Sequence, residues 1–133
     1  MSKRILVVDD DPDIRQILLD RLHSYGYSVE MAVDRSETLA AMQYDGFDGM
    51  LFDIDRPEIQ DIAVVCQIRA THPTMPILII TAMPDLERII QVVIGDGPQA
   101  YLLKPFDAAQ FTKAVEYWFG PPSRKIQIHG SVP

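Results

Sequence analysis

Residues 4–13 read Arg4-Ile5-Leu6-Val7-Val8-Asp9-Asp10-Asp11-Pro12-Asp13. Four apolar residues in a row, three of them β-branched, show no polar alternation, which is the pattern of a strand buried on both faces. Asp11 then suits a helix N-cap, Pro12 the first helical position and Asp13 the first turn. A buried strand that runs straight into a capped helix is the opening of a β-α unit, and its neighbours in sequence repeat the theme.

Downstream, Ile14, Ile17, Leu18, Leu22 and Tyr25 recur at helical spacing, and Gly26 ends that helix. Residues 27–32 read as a second strand with Val29 and Met31 pointing inward. Asp34 and Glu37 fit a capping box, and Leu39 and Met42 supply the helix face before Asp45-Gly46 breaks it. Residues 48–53 form a third strand ending in Phe52-Asp53. After Pro57 a third helix runs to about Thr71, with Ile62, Val65 and Ile68 roughly in phase, and His72-Pro73 closes it. Pro76-Ile77-Leu78-Ile79-Ile80-Thr81 is the plainest strand. Pro84-Asp85 opens a fourth helix that Gly95 and Gly97 end, and Ala100–Leu103 is a short fifth strand. Asp107 caps a last helix with Phe111, Ala114, Val115 and Trp118 on one face. Five strands alternating with five helices predict an α/β fold with right-handed crossovers and a parallel sheet covered on both sides. One domain over residues 1–120 is expected, with a polar, mobile tail over 121–133.

Composition narrows the function classes. The chain has 133 residues, 47% of them hydrophobic and 23% charged, as in an ordinary globular domain. Its longest apolar runs are five to six residues, too short to span a membrane, and the N-terminus lacks a secretory leader's apolar stretch, so a cytoplasmic protein is expected. A single cysteine, Cys66, fits a reducing compartment and reads as a small buried hydrophobe on a helix. The net charge of −7 argues against nucleic acid or anionic membrane as direct partners and suits a site for a divalent cation.

In an open parallel sheet the active crevice lies beyond the carboxyl ends of the strands. Asp9-Asp10-Asp11 stand at the first such end, Asp53 at the third, Thr81-Ala82 at the fourth and Lys104-Pro105-Phe106 after the fifth. Facing carboxylates repel unless a cation lies between them, and hard oxygen ligands suit Mg²⁺, which also accepts phosphate oxygens. Such an ion makes an acid workable as a nucleophile toward phosphorus, while Lys104 and Thr81 can each hold a phosphoryl oxygen. His23, His72 and His129 fall in helix, turn and tail, away from every strand end.

Ile5–Pro12, Leu51-Phe52-Asp53-Ile54-Asp55-Arg56-Pro57, Ile80-Thr81-Ala82 and Tyr101-Leu102-Leu103-Lys104-Pro105-Phe106 together resemble the receiver domain of two-component response regulators, in the family's order and spacing from about residue 3 to 119. The resemblance implies a flavodoxin-like, doubly wound (βα)5 fold with strand order 2-1-3-4-5. It makes Asp53 the phosphoacceptor, served by a sensor histidine kinase or phosphotransfer protein. It gives Mg²⁺ to Asp10 directly, to Asp9 through water, and to Asp53 and the backbone carbonyl of Asp55. It makes Lys104 the holder of the phosphoryl group, Thr81 and Tyr101 the switch pair, and the Lys104-Pro105 bond cis. The protein would catalyse only its own phosphorylation and dephosphorylation. Output would come through a homodimer or target bound by the fourth helix, fifth strand and fifth helix. On that fourth helix Leu86, Ile89, Ile90, Val92, Val93 and Ile94 cover more arc than one-sided packing needs, so Val92 or Ile94 is expected to be partly exposed.

Two rival functions share some of these residues. A pseudo-receiver would bind partners without phosphorylation, and such modules usually lose one of the key residues, all of which are present here. A small phosphatase opening on Asp53-Ile54-Asp55 would leave Asp9-Asp10 unexplained. No output domain follows residue 120, which fits a stand-alone receiver or a piece of a longer regulator.

The family pattern is broken after Asp53. Arg56 replaces a usual methionine, Asp55 adds an acid, and Asp61 stands where a glycine is expected, a position that asks Asp for positive φ if the loop is unchanged. These positions flank the path of an attacking water, so the lifetime of the phosphorylated state is expected to be altered. A phosphate-release time course of wild type beside Asp55→Asn should give different rates; equal rates would discard the idea.

Overall fold

Strand β1 (Arg4–Val8) runs directly into helix α1 (Pro12–Ser24) through the Asp11 cap, whose side chain accepts hydrogen bonds from the Asp13 and Ile14 N–H groups. The computed structural model describes residues 3–43, 46–55, 59–95 and 97–121. The order continues β2 (Ser28–Ala32), α2 (Arg35–Met42), β3 (Gly49–Asp53), α3 (Ile59–Thr71), β4 (Ile77–Thr81), α4 (Leu86–Ile94), β5 (Gln99–Leu103) and α5 (Ala108–Phe119). All strand pairs are parallel and the sheet order is β2-β1-β3-β4-β5, the doubly wound arrangement expected. Among the described residues no helix is long and apolar enough to cross a membrane. The tail beyond residue 121, and Asp45, Arg56 and Pro57, lie outside the described residues.

The unalternating strands are explained by two cores. Leu6, Val8, Met50, Phe52, Ile77 and Ile79 pack toward Met42 of α2, Val64, Val65 and Ile68 of α3, and Leu86 and Ile90 of α4. Their sequence neighbours Ile5, Val7, Leu51, Leu78 and Ile80 face the other way, onto Leu18 and Leu22 of α1 and Phe111, Val115 and Phe119 of α5. Successive strand residues point to opposite faces, so a sheet covered on both sides must be apolar at every position. Gly49 admits a close approach: a Cβ there would lie 2.6 Å from the Phe119 ring.

Several local expectations need correction. Ile17 and Met31 are exposed, at 51% and 42%. Met31 lies on the edge strand β2, which has a neighbour on one side only, and Ile17 lies on the shoulder of the α1 stripe. The α3 face is carried by Val64, Val65 and Ile68, with Ile62 only partly covered; Cys66, off that stripe, is likewise partly exposed rather than buried. The Asp34–Glu37 capping box is half formed: Asp34 accepts from the Glu37 N–H, but the Glu37 carboxylate reaches the Val33 N–H instead of the cap's own. Asp85 precedes α4 without capping it through its side chain. Asp61 sits in the first turn of α3, and no described residue other than glycine has positive φ, so the strain foreseen there does not arise. Val92 is 81% exposed and Val93 51%, whereas Ile94 packs against the core.

Arg69 ties the amino-end side of the sheet together. Its guanidinium donates to the carbonyls of His72 (3.1 Å), Pro73 (3.3 Å) and Met75 (2.8 Å) after α3, and of Pro98 (3.3 Å) before β5. Charge-assisted bonds to backbone carbonyls contribute more than neutral ones. Arg69→Ala should lower stability by about 1.5–3 kcal/mol in urea unfolding, with Arg69→Lys recovering only part, since an ammonium cannot span four acceptors as a guanidinium fork does.

Candidate functional site

Parallel pairing sets which side chains meet. β3 pairs with β1 and β4, and β4 with β5, in a register that brings the residues after each strand to one rim: Asp9 after β1, Asp53 closing β3, Thr81 closing β4 and Lys104 after β5. Cross-links continue past the strands, with the Ile54 N–H donating to the Ile80 carbonyl (2.8 Å) and the Lys104 N–H to the Thr81 carbonyl (2.8 Å). The rim opens into a cleft of about 910 Å³ lined by Asp9, Asp10, Asp53, Asp55, Asp61 and Lys104.

Lys104 Nζ lies 2.8 Å from Asp53 Oδ2 and 2.8 Å from Asp55 Oδ2. The Asp53 side chain is 4% exposed and the Asp55 side chain 47%, so the same ammonium serves a buried acid and a half-solvated one. The other oxygen of Asp55 accepts from the Ala82 N–H at 3.1 Å. Asp9 is buried; its Oδ1 accepts from the Asp11 N–H at 2.9 Å, while Oδ2 has no hydrogen-bond partner among the described residues. Arg15 reaches over to donate to the Asp9 carbonyl at 3.0 Å. Asp10 is exposed at the mouth.

Burial, the largest influence, pushes the Asp53 carboxyl up to about 7; the hydrogen bond from Lys104 opposes it and the charge of Asp9 adds to it. Burial also raises Asp9, against the Asp11 N–H that favours its ionised form. Asp55 goes the other way: partial burial would raise it, but hydrogen bonds with Lys104 and Asp53 hold it below the ordinary carboxylate range. Lys104, despite its own burial, is held above the usual range by the two acids. Two acids at different depths around one cation thus part in pKa, the arrangement that separates chemical roles.

Of the residues singled out in the sequence, Asp9, Asp53, Asp55 and Lys104 converge, and Asp10 stands at the rim. Thr81 is buried, with its hydroxyl accepting from the Met83 N–H at 3.0 Å. Tyr101 is half-buried against the α2–α4 core, its hydroxyl beside the Gln99 carboxamide without a well-formed hydrogen bond. The Lys104-Pro105 peptide is cis. The Ala82 N–H was missed: every residue carries one, and only the meeting of the β3 and β4 ends makes this one special. Asp11 was assigned as a cap alone, yet its N–H also holds Asp9; the Asp-x-Asp spacing of an Asx turn was the available signal.

Residues 5–116 match the family model of the response regulator receiver domain. The chain belongs to that family. Response regulator MprA of Mycobacterium tuberculosis is 40% identical over 107 residues, which are 80% of this chain and 46% of MprA, so the chain spans about half the length of such relatives. The chemotaxis protein CheY4 of Vibrio cholerae shares the fold with a TM-score of 0.76 and 28% identity, over 88% of this chain and 98% of CheY4. TrrA of Thermotoga maritima, solved in complex with Mg²⁺-BeF, matches with a TM-score of 0.74 and 28% identity, over 87% and 98% of the two chains. The receiver reading from the four sequence segments is therefore correct at the level of family and fold.

The raised pKa of Asp53 has a consequence for stability. Its folded value, about 7, stands above the ordinary 3.8, so the folded state keeps a proton the unfolded state gives up. That stabilising contribution is fully present below 3.8 and is lost as pH rises through about 7. In the absence of divalent metal, Asp53→Asn should therefore gain stability over wild type between pH 5 and pH 8, by on the order of 2 kcal/mol, measured by urea unfolding at the two pH values.

Proposed function

We propose that this receiver accepts a phosphoryl group on Asp53 from a phosphohistidine of a sensor histidine kinase or phosphotransfer protein. The supporting observation is the contact of Lys104 Nζ with Asp53 Oδ2 at 2.8 Å, inside a cleft that Asp9, Asp10 and Asp55 also line. An Asp53 carboxylate oxygen attacks phosphorus, the P–N bond to the donor imidazole breaks, and the nitrogen keeps the electron pair. Lys104 then balances charge on the phosphoryl oxygens.

Mg²⁺ is the cation that the donor set suits. Among the described residues no three acidic, His or Cys side chains close into a metal cluster by themselves. Mg²⁺ does not need one, since it is held by one or two carboxylates with waters and substrate oxygens. The buried Oδ2 of Asp9, without a hydrogen-bond partner among the described residues, is an acceptor that calls for a cationic or water partner there. Asp10, Asp53, the Asp55 carbonyl and, through water, Asp9 would hold the ion, which when bound neutralises charge on the phosphoryl oxygens.

Switching follows from Thr81 and Tyr101. The Thr81 hydroxyl leaves the Met83 N–H for a phosphoryl oxygen, and the under-satisfied Tyr101 hydroxyl makes its ring cheap to move into the vacated space. Val92, Val93, Leu103 and Tyr117 are exposed on α4, β5 and α5 and form the face proposed for a second copy or a target protein. The protein so read is a cytoplasmic phosphoacceptor and switch, not a turnover enzyme, and neither nucleic acid nor membrane is its direct partner.

Incubation with Mg²⁺ and acetyl phosphate should raise the intact mass by one phosphoryl group, and Asp53→Asn should abolish the gain. An unchanged wild-type mass would discard the reading in favour of an unphosphorylated interaction module.

A further inference from the structure

The Asp55 carboxylate is gripped from two sides. Its Oδ1 accepts from the Ala82 N–H at 3.1 Å and its Oδ2 takes Lys104 Nζ at 2.8 Å. Both donors lie past the carboxyl ends of neighbouring strands, β4 and β5, and Lys104 Nζ simultaneously touches Asp53 Oδ2 at 2.8 Å. An ammonium and a backbone N–H aimed into one mouth are the donors that an oxyanion takes. A phosphoryl group joined to Asp53 carries its free oxygens into the same few ångströms. Those oxygens and the Asp55 carboxylate therefore compete for the same two donors.

Resting on the phosphoacceptor reading of Asp53, we propose that Asp55 is a built-in occupant of the phosphoryl cradle, which has to release Lys104 and Ala82 before a phosphoryl group on Asp53 is seated. The occupant is displaceable. Asp55 is 47% exposed, so its side chain can turn into solvent without disturbing either core, and a half-solvated ion pair holds weakly. Release is also driven from the other side, because a phosphoryl group carries close to two negative charges and repels a carboxylate beside it. Asp55 thus sets how readily the site is loaded, through its side chain. Its main-chain carbonyl, a proposed metal ligand, is untouched by substitution.

The test compares wild type, Asp55→Ala and Asp55→Asn at saturating Mg²⁺, with acetyl phosphate as the donor and intact mass as the readout. Asp55→Ala should load about two- to fivefold faster, the range set by one half-exposed ion pair, with Asp55→Asn in between. Before any donor is added, the Ala82 amide proton should move upfield in Asp55→Ala as its acceptor is lost. Loading that is equal or slower in both variants overturns the inference and leaves the phosphoacceptor reading standing. An Ala82 amide that ignores the substitution overturns it too, because the contact is then not made in solution. Loading in none of the three proteins removes the phosphoacceptor reading and the inference with it. Should Asp55→Ala unfold, the near-isosteric Asp55→Asn keeps the loading readout available, and faster loading than wild type is still expected.

Discussion

Lys104 stands between two carboxylates, 2.8 Å from each, at the carboxyl rim of a sheet packed on both faces by apolar cores. An acid as deeply covered as Asp53 would be kept neutral by burial alone, because desolvation penalises its charged form far more than it does at the surface. One ammonium, itself partly covered, is what keeps that acid poised near neutrality instead of permanently protonated. The contact exists only because β3 and β5 flank β4 in parallel and end level with one another, so that residues 49 to 51 positions apart in sequence meet.

The two cores serve that contact. Alternate residues of every central strand lock onto α2–α4 on one face and α1 and α5 on the other, leaving little freedom for a strand to slip. A shift by one residue would turn each strand's two apolar sets over and move Asp53 away from the rim. At the opposite edge the Arg69 fork fastens the ends from which β4 and β5 start, so the sheet is held at both margins while the carboxyl rim stays open and polar. Rigidity below and unsatisfied polarity above is the division of labour expected of a site grafted on a stable scaffold.

The rim is unevenly satisfied. Asp55 has both oxygens engaged, Asp9 has one without a partner among the described residues, and Thr81 spends its hydroxyl on the neighbouring Met83 N–H. Each of these is a contact that an incoming cation or oxyanion would rearrange. The cost of rearrangement is small where the group is half-solvated, as at Asp55, and larger where it is buried, as at Asp9 and Thr81.

From the residues alone the alternation of five strands and five helices, the Asp11 and Asp107 caps, and the acids, threonine and lysine at strand ends were all legible, because each depends on local chemistry or on a pattern only a few residues long. Reach was not legible. Periodicity placed Ile17 and Met31 on an inner face but could not say how far the neighbouring elements extend to cover them, and a half capping box at Asp34 looked like a whole one. Asp55 was visible as an extra acid, and its effect was assigned to the path of water. That its carboxylate takes Lys104 and the Ala82 N–H depends on three strand ends meeting, one of them presenting a backbone group that no side chain announces. Sequence determined which chemical groups this protein carries and which strand bears them. Tertiary structure alone decided which groups share a donor, since hydrogen bonds and ion pairs are made over about 3 Å of space while their partners lie tens of residues apart along the chain.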